Sequence, residues 1–154
     1  MTGLFSTFGL MSSDSIDAKE ADYLYLATSQ IPFSGLGLFV SIPIFKDEVI
    51  SLFKGEILGD LEALRRAKRK EDRYFINCLD GSVMDSMHTH CYAKYANDPD
   101  ASGPGMVKTK YKSNADISVD EDDNICLIAT RNIKSGEEVF CNYGKKYWKN
   151  FSKK

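Results

Sequence analysis

Strand-forming runs of about five residues recur along the chain, each cut off by a glycine, proline or aspartate-rich turn. That rhythm limits the fold more than any other feature of the sequence. Tyr23-Leu24-Tyr25-Leu26-Ala27 runs out before Pro32, which has no N–H for a central ladder. Ser34-Gly35-Leu36-Gly37-Leu38-Phe39-Val40 is a glycine turn entering a second strand, and Val49-Ile50-Ser51-Leu52-Phe53 reads as a third. Gly55 stops that strand and Glu56-Ile57-Leu58 follows. Tyr74–Cys78 and Ser82–Asp85 flank Leu79-Asp80-Gly81, and Asp-Gly is a strong hairpin signal. A second hairpin joins Ala115–Val119 to Ile125–Ala129 around Asp122-Asp123-Asn124. Helix is scarce. Asp60 is placed to cap one running to about Lys70, with Leu61, Leu64 and Ala67 at helical spacing. Arg65, Arg66, Lys68, Arg69 and Lys70 form its other, solvated face. Cys91–Ala96 adds a turn or two, and residues 98–113, with two prolines and two glycines, form a loop. The pattern predicts a mainly β chain with short helices (α+β). It excludes a doubly wound nucleotide-binding fold, which needs repeated strand–helix units.

At 154 residues, 43% hydrophobic and 27% charged, the chain fits one domain with one core. Residues 1–22 read as a loosely held leader whose second half is able to form a short helical turn, and 23–154 as the domain. A net charge of -2 gives no basic field, so no direct nucleic-acid partner is expected. No apolar run is long enough to span a bilayer, and Met1–Met11 lacks a cationic start for a signal peptide. An intracellular location is expected, with no choice between nucleus and cytoplasm. Cys78, Cys91, Cys126 and Cys141 share no CxxC spacing and read as buried free thiols. His88-Thr89-His90-Cys91 would need further ligands to hold a metal, and none is expected.

Four segments in order carry a more specific signal. Gly35-Leu36-Gly37-Leu38-Phe39 is similar to a G-x-G-L-F opening, and Phe53-Lys54-Gly55-Glu56 to a Y-x-G-E turn. Ala93-Lys94-Tyr95-Ala96-Asn97-Asp98-Pro99, with Asn114 later, is similar to R-F-I-N-H-S-C-x-P-N. Gly136-Glu137-Glu138-Val139-Phe140-Cys141-Asn142-Tyr143-Gly144 is similar to G-E-E-L-x-x-D-Y-G. Together they resemble the SET domain family of protein lysine methyltransferases, in a short form without flanking zinc clusters. The resemblance implies a β-clip architecture of small sheets with a C-terminal pseudoknot, an exception to the rule that chains do not thread loops. It also implies S-adenosylmethionine as methyl donor and a lysine in a protein or peptide, such as a histone tail, as acceptor.

Lysine is charged at neutral pH and attacks only after losing a proton, so an apolar channel that lowers its pKa by desolvation suits the reaction. By resemblance Tyr143 sits beside the transferring methyl and Tyr74 lines the lysine channel, with Phe53 and Cys141 on its walls. Ser34, Gly35, Leu36, Gly37, Asn97, Asp98, Tyr143 and Trp148 would hold the cofactor, Trp148 by covering adenine. Phe53 lacks the hydroxyl usual at its place, Asp98 stands where the family has His, and the Asn97–Asn114 gap is longer than usual. Cys141 is smaller than the aromatic often found there and leaves room for more than one methyl. Two other readings fit the same residues. One is a catalytically silent SET module that binds cofactor or peptide, the other an unrelated β-rich interaction protein. A homodimer that completes the channel is compatible with the small size.

Overall fold

The computed structural model of the chain describes residues 14–100 and 109–142. They form three small sheets, as the short-strand pattern predicts. The first has the order β1 (Asp14–Ser15), β4 (Glu48–Leu52), β9 (Ile125–Ala129), β8 (Ala115–Val119). The second is β10 (Glu138–Val139), β3 (Leu36–Val40), β2 (Leu24–Thr28). The third is β5 (Glu56–Leu58), β7 (Val83–Asp85), β6 (Phe75–Asn77).

Alternation along β2 and β3 explains the second sheet. Leu24 pairs with Val40 and Leu26 with Leu38, which puts these side chains on the core face. Tyr25 and Phe39 face the other way and stack with ring centroids 5.5 Å apart. Val139 pairs with Leu38, so the last strand joins on the same register. Leu38, Val40, Ile44, Ile50 and Leu127 are fully buried and tie the sheets to one core. Each such side chain contributes about 1.5–3 kcal/mol by burial.

In the β8–β9 hairpin Asp120 accepts from the backbone N–H of Asp122 and Asn124, both at 2.9 Å, fixing the turn. Within the stretch read as a leader, Asp14–Ser15 pair with Glu48–Val49. Helix α1 (Glu20–Tyr23) is held by Glu20, which accepts from Ser51 Oγ at 2.7 Å and Leu52 N at 3.0 Å.

Helix α2 (Asp60–Lys68) departs from expectation in three ways. Gly59 is its N-cap and Asp60 its first residue, with no side-chain cap bond. It ends before Lys70, which takes a left-handed φ of 60°. Its apolar face lies in solvent, with Leu61 71% exposed, and the helix is held instead by Arg66, from the face expected to be solvated. Arg66 reaches Asp85 at 2.8 Å, Glu62 at 2.9 Å and Glu56 at 3.1 Å. Ion pairing between helix and sheet outweighed hydrophobic spacing there. Among the described residues no helix is long and apolar enough to cross a membrane.

Candidate active site

The site begins where the chain crosses itself. After β10 pairs with β3, Phe140 and Cys141 run between two segments distant in sequence. Phe140 bridges to Asn97 on one side, and Cys141 to Ala115 on the other, both parallel. Cys141 N donates to Asn97 O at 2.9 Å, while Asn114 N and Ala115 N donate to Phe140 O at 2.9 and 3.1 Å. Asn114 clasps the crossing. Its side chain is fully buried, donates from Nδ2 to Glu138 O at 2.9 Å and accepts from Phe140 N at 2.8 Å. The third and fourth segments therefore meet, as the pseudoknot expectation requires.

The glycine turn is locked to this crossing by Glu138, a carboxylate only 1% exposed in β10. Ser29 Oγ and Gln30 N each donate to it at 2.7 Å, and Asn97 Nδ2 approaches at 3.5 Å. Buried carboxylates persist only when hydrogen-bonded in this way. Gly37 is where the carboxylate packs: a Cβ built there would run into Glu138 and lie 3.3 Å from Ser29 Cα. Asn97 completes the link by donating to Leu36 O at 3.1 Å. Three of the predicted cofactor residues, Leu36, Gly37 and Asn97, thus converge. Gly35 and Leu36 are exposed beside them and Ser34 is half-buried. Asp98 is 9% exposed and accepts from Asp100 N at 2.8 Å.

A second set of contacts links the segments that carry Phe53 and Tyr74 through Asp85 and Ser86. Phe53, 7% exposed, ends β4 by donating its N–H to Ile125 O at 2.8 Å. Two residues later Gly55 lies so close to the Asp85 carbonyl that a Cβ would overlap it. The residue after Asp85, Ser86, donates its N–H to Tyr74 O at 3.3 Å. Tyr74 is half-buried, with Arg73 over its ring at 4.9 Å and Lys94 Nζ at 5.1 Å. Lys94 also lies 5.3 Å from the Tyr95 ring and donates to the carbonyls of Ser86, Thr89 and Met87 at 2.9, 3.2 and 3.3 Å. The two sets of contacts share the turn Ala93–Tyr95, which carries Lys94 toward one and leads into Asn97 at the other.

Cys141 is fully buried. Burial, and then the charges of Asp116 and Asp98, push its thiol far above the ordinary range, so it stays a neutral thiol. Tyr143 and Trp148 lie outside the described residues. Asn142, which precedes Tyr143, donates to Asp100 Oδ2 at 3.0 Å. Among the described residues no group of three or more His, Cys, Asp or Glu is arranged to hold a metal ion. His90 packs edge-on against Tyr92 at 5.1 Å. Sequence reasoning missed the roles of Glu138, Ser29, Lys94 and Ser86. Glu138 left one trace, its place as the second glutamate of the Gly136–Gly144 segment.

The model of the SET domain family matches residues 35–144, which contain all four segments. Histone-lysine N-methyltransferase EZH2 of Chaetomium thermophilum is 29% identical over 137 residues, covering 82% of this chain and 8% of that protein. Histone-lysine N-methyltransferase 2D of Homo sapiens is 30% identical over 124 residues, covering 78% of this chain and 2% of that protein. A structure of apo ctPRC2 with mutations in Ezh2 superposes with a TM-score of 0.66 at 27% identity, over 84% of this chain and 16% of that one. A humanized mutant of the Chaetomium thermophilum Polycomb Repressive Complex 2 gives 0.63 at 25% identity, over 79% and 15%. The chain spans a small part of the length of each of these relatives. With the crossing, the glycine turn and the family match in agreement, this chain belongs to the SET domain family.

Proposed function

We propose that the chain transfers a methyl group from S-adenosylmethionine to a lysine side-chain amine of a protein, with histone tails as the substrate class. The observation that carries this reading is the convergence of Leu36, Gly37, Asn97 and Glu138 beside the crossing at Phe140–Cys141. Gly35, where a Cβ would meet nothing within 4 Å, leaves the turn's backbone open to close approach by a cofactor, and Glu138 braces the turn through Gly37. When bound, the cofactor supplies an electrophilic methyl on a sulfonium.

The chain's own residues do the rest. Ser34, Gly35, Leu36 and Gly37 offer backbone groups to the methionine part. Asn97 has its amide nitrogen on Leu36 and Glu138, so its Oδ1 is the atom that would accept from the cofactor's ammonium. Asp98 would hold the adenine side through backbone, and Trp148 would cover the ring. Phe53, Tyr74 and Cys141 wall a channel that strips water from the incoming lysine, favouring its neutral form. Tyr143 orients the amine toward the methyl, and positioning of this kind is able to supply much of the rate gain. The acidic hairpin of Asp116 and Asp120–Asp123 suits a basic peptide added beside a sheet edge. A histone substrate would put its action inside the cell, with the nucleus as the compartment that suits it.

Family membership removes the reading as an unrelated β-rich interaction protein. The silent module is favoured by Phe53, which has no hydroxyl, and by Asp98. Incubation with S-adenosylmethionine tritiated on its methyl, over a panel of histones and lysate proteins, separates the two. Transfer supports the enzyme, whereas calorimetric binding of S-adenosylhomocysteine without transfer supports the silent module. The small Cys141 leads us to expect di- or trimethyl product, and mass spectra that stop at monomethyl after long incubation would overturn that part.

A further inference from the structure

Ser86 is 1% exposed, and its Oγ is the buried side-chain polar atom that has no hydrogen-bond partner among the described residues. Buried hydroxyls are nearly always paired, and an orphan in a native fold calls for an explanation, a role toward substrate among them. Every other polar group of Ser86 is engaged. Its N–H donates to Tyr74 O at 3.3 Å, and its carbonyl accepts from Lys94 Nζ at 2.9 Å and Thr89 N at 3.3 Å. Asp85, just before it, presses its carbonyl against Gly55, two residues past Phe53. Ser86 therefore sits at the junction of the segments carrying Phe53 and Tyr74. Lys94, bound to the same residue, fixes a positive charge 5.1 Å from the Tyr74 ring. Like charge nearby disfavours a second ammonium, so an amine reaching this junction is held in its neutral form.

We propose that Ser86 Oγ accepts a hydrogen bond from the substrate lysine amine and thereby biases the enzyme toward the early methylation steps. This rests on the lysine methyltransferase reading. In each round the amine first releases a proton to solvent, then its lone pair forms the new N–C bond as the S–C bond to the donor breaks. With the lone pair directed at the methyl, an unmodified amine has two N–H groups, a monomethylated one has one, and a dimethylated one has none. Ser86 thus assists the first two additions and not the third. Cys141 leaves room for methyl groups, and Ser86 opposes it by rewarding N–H.

The test compares wild type and Ser86→Ala on histone H3 tail peptides whose lysines are all unmodified, all monomethylated or all dimethylated. The variant should flatten the series, lowering the kcat/KM ratio of unmodified over dimethylated peptide about three- to tenfold, the worth of one hydrogen bond. Its melting temperature should not fall, since the hydroxyl makes no bond among the described residues. A ratio within about twofold of wild type, equal loss on all three peptides, or a variant that fails to fold would each overturn the assignment. No transfer by the wild-type protein to any peptide is a different result, and it would overturn the parent reading together with this one.

Discussion

Replacing Asn114 with Asp probes the crossing through one atom. The carboxylate keeps an acceptor for Phe140 N–H but turns the donor toward Glu138 O into a second acceptor, at a fully buried position. The side chain then relieves the clash by taking up a proton, which restores an O–H donor. Holding a carboxyl protonated at pH 7, about three pH units above its ordinary range, costs ~4 kcal/mol at ~1.4 kcal/mol per unit. The sign follows from linkage. The folded pKa lies above the unfolded one, so the penalty is absent below about pH 4 and grows as pH rises toward the folded value. Asn114→Ala behaves differently. It leaves Phe140 N–H and Glu138 C=O unpaired, each costing ~1–3 kcal/mol at any pH. Urea unfolding of both variants against wild type, at about pH 4 and at pH 7, separates the two cases. Asn114→Asp should approach wild type in acid and lose ~3–4 kcal/mol at neutrality, while Asn114→Ala loses ~2–5 kcal/mol throughout. If Asn114→Asp stays within ~1 kcal/mol of wild type at neutrality, the clasp contributes little and the reasoning fails.

Gly37→Ala forces the Glu138 carboxylate aside and strips Ser29 and Gln30 of their acceptor, whereas Ser29→Ala leaves the Gln30 bond to Glu138 in place and removes only the two bonds of its own hydroxyl, to Glu138 and from Ile31 N. Calorimetry with S-adenosylhomocysteine and thermal melts should show Gly37→Ala losing more affinity and stability than Ser29→Ala, and the reverse order would refute the brace. Burial, and then Asp120, raise the Cys126 thiol from 9.0 to about 11. The unfolded chain releases that proton first, so stability is full below about pH 9 and declines as pH rises toward 11. Cys126→Ala should flatten this limb of the stability curve, and an unchanged slope would refute the assignment. Tyr143→Phe should lower turnover far more than cofactor affinity, measured by steady-state kinetics beside calorimetry; equal loss of both would count against a role at the reacting amine.

Strands were legible because alternation and turn chemistry are local. Leu24, Leu26, Leu38 and Val40 announce a core face, and Asp80-Gly81 announces a hairpin. Helix α2 misled because spacing of Leu61 and Leu64 reports a face, not whether anything covers it, and Arg66 found its partners across the fold. The crossing was legible only by resemblance, since nothing local tells Phe140 that it will lie beside Asn97. Glu138, Lys94 and Ser86 stayed hidden for the same reason. A polar residue becomes a brace or an orphan only through contacts with residues distant from it in sequence, Glu138 with Ser29 and Lys94 with Tyr74.

Amino-acid analysis of a histone substrate after incubation with methyl-tritiated S-adenosylmethionine reads the chemistry itself. Radioactivity recovered in methylated lysine, and lost when the substrate lysines are replaced by arginine, is the expected result. Label that is absent although the cofactor binds, or that appears on any residue other than lysine, would contradict transfer to a lysine amine at this crossing.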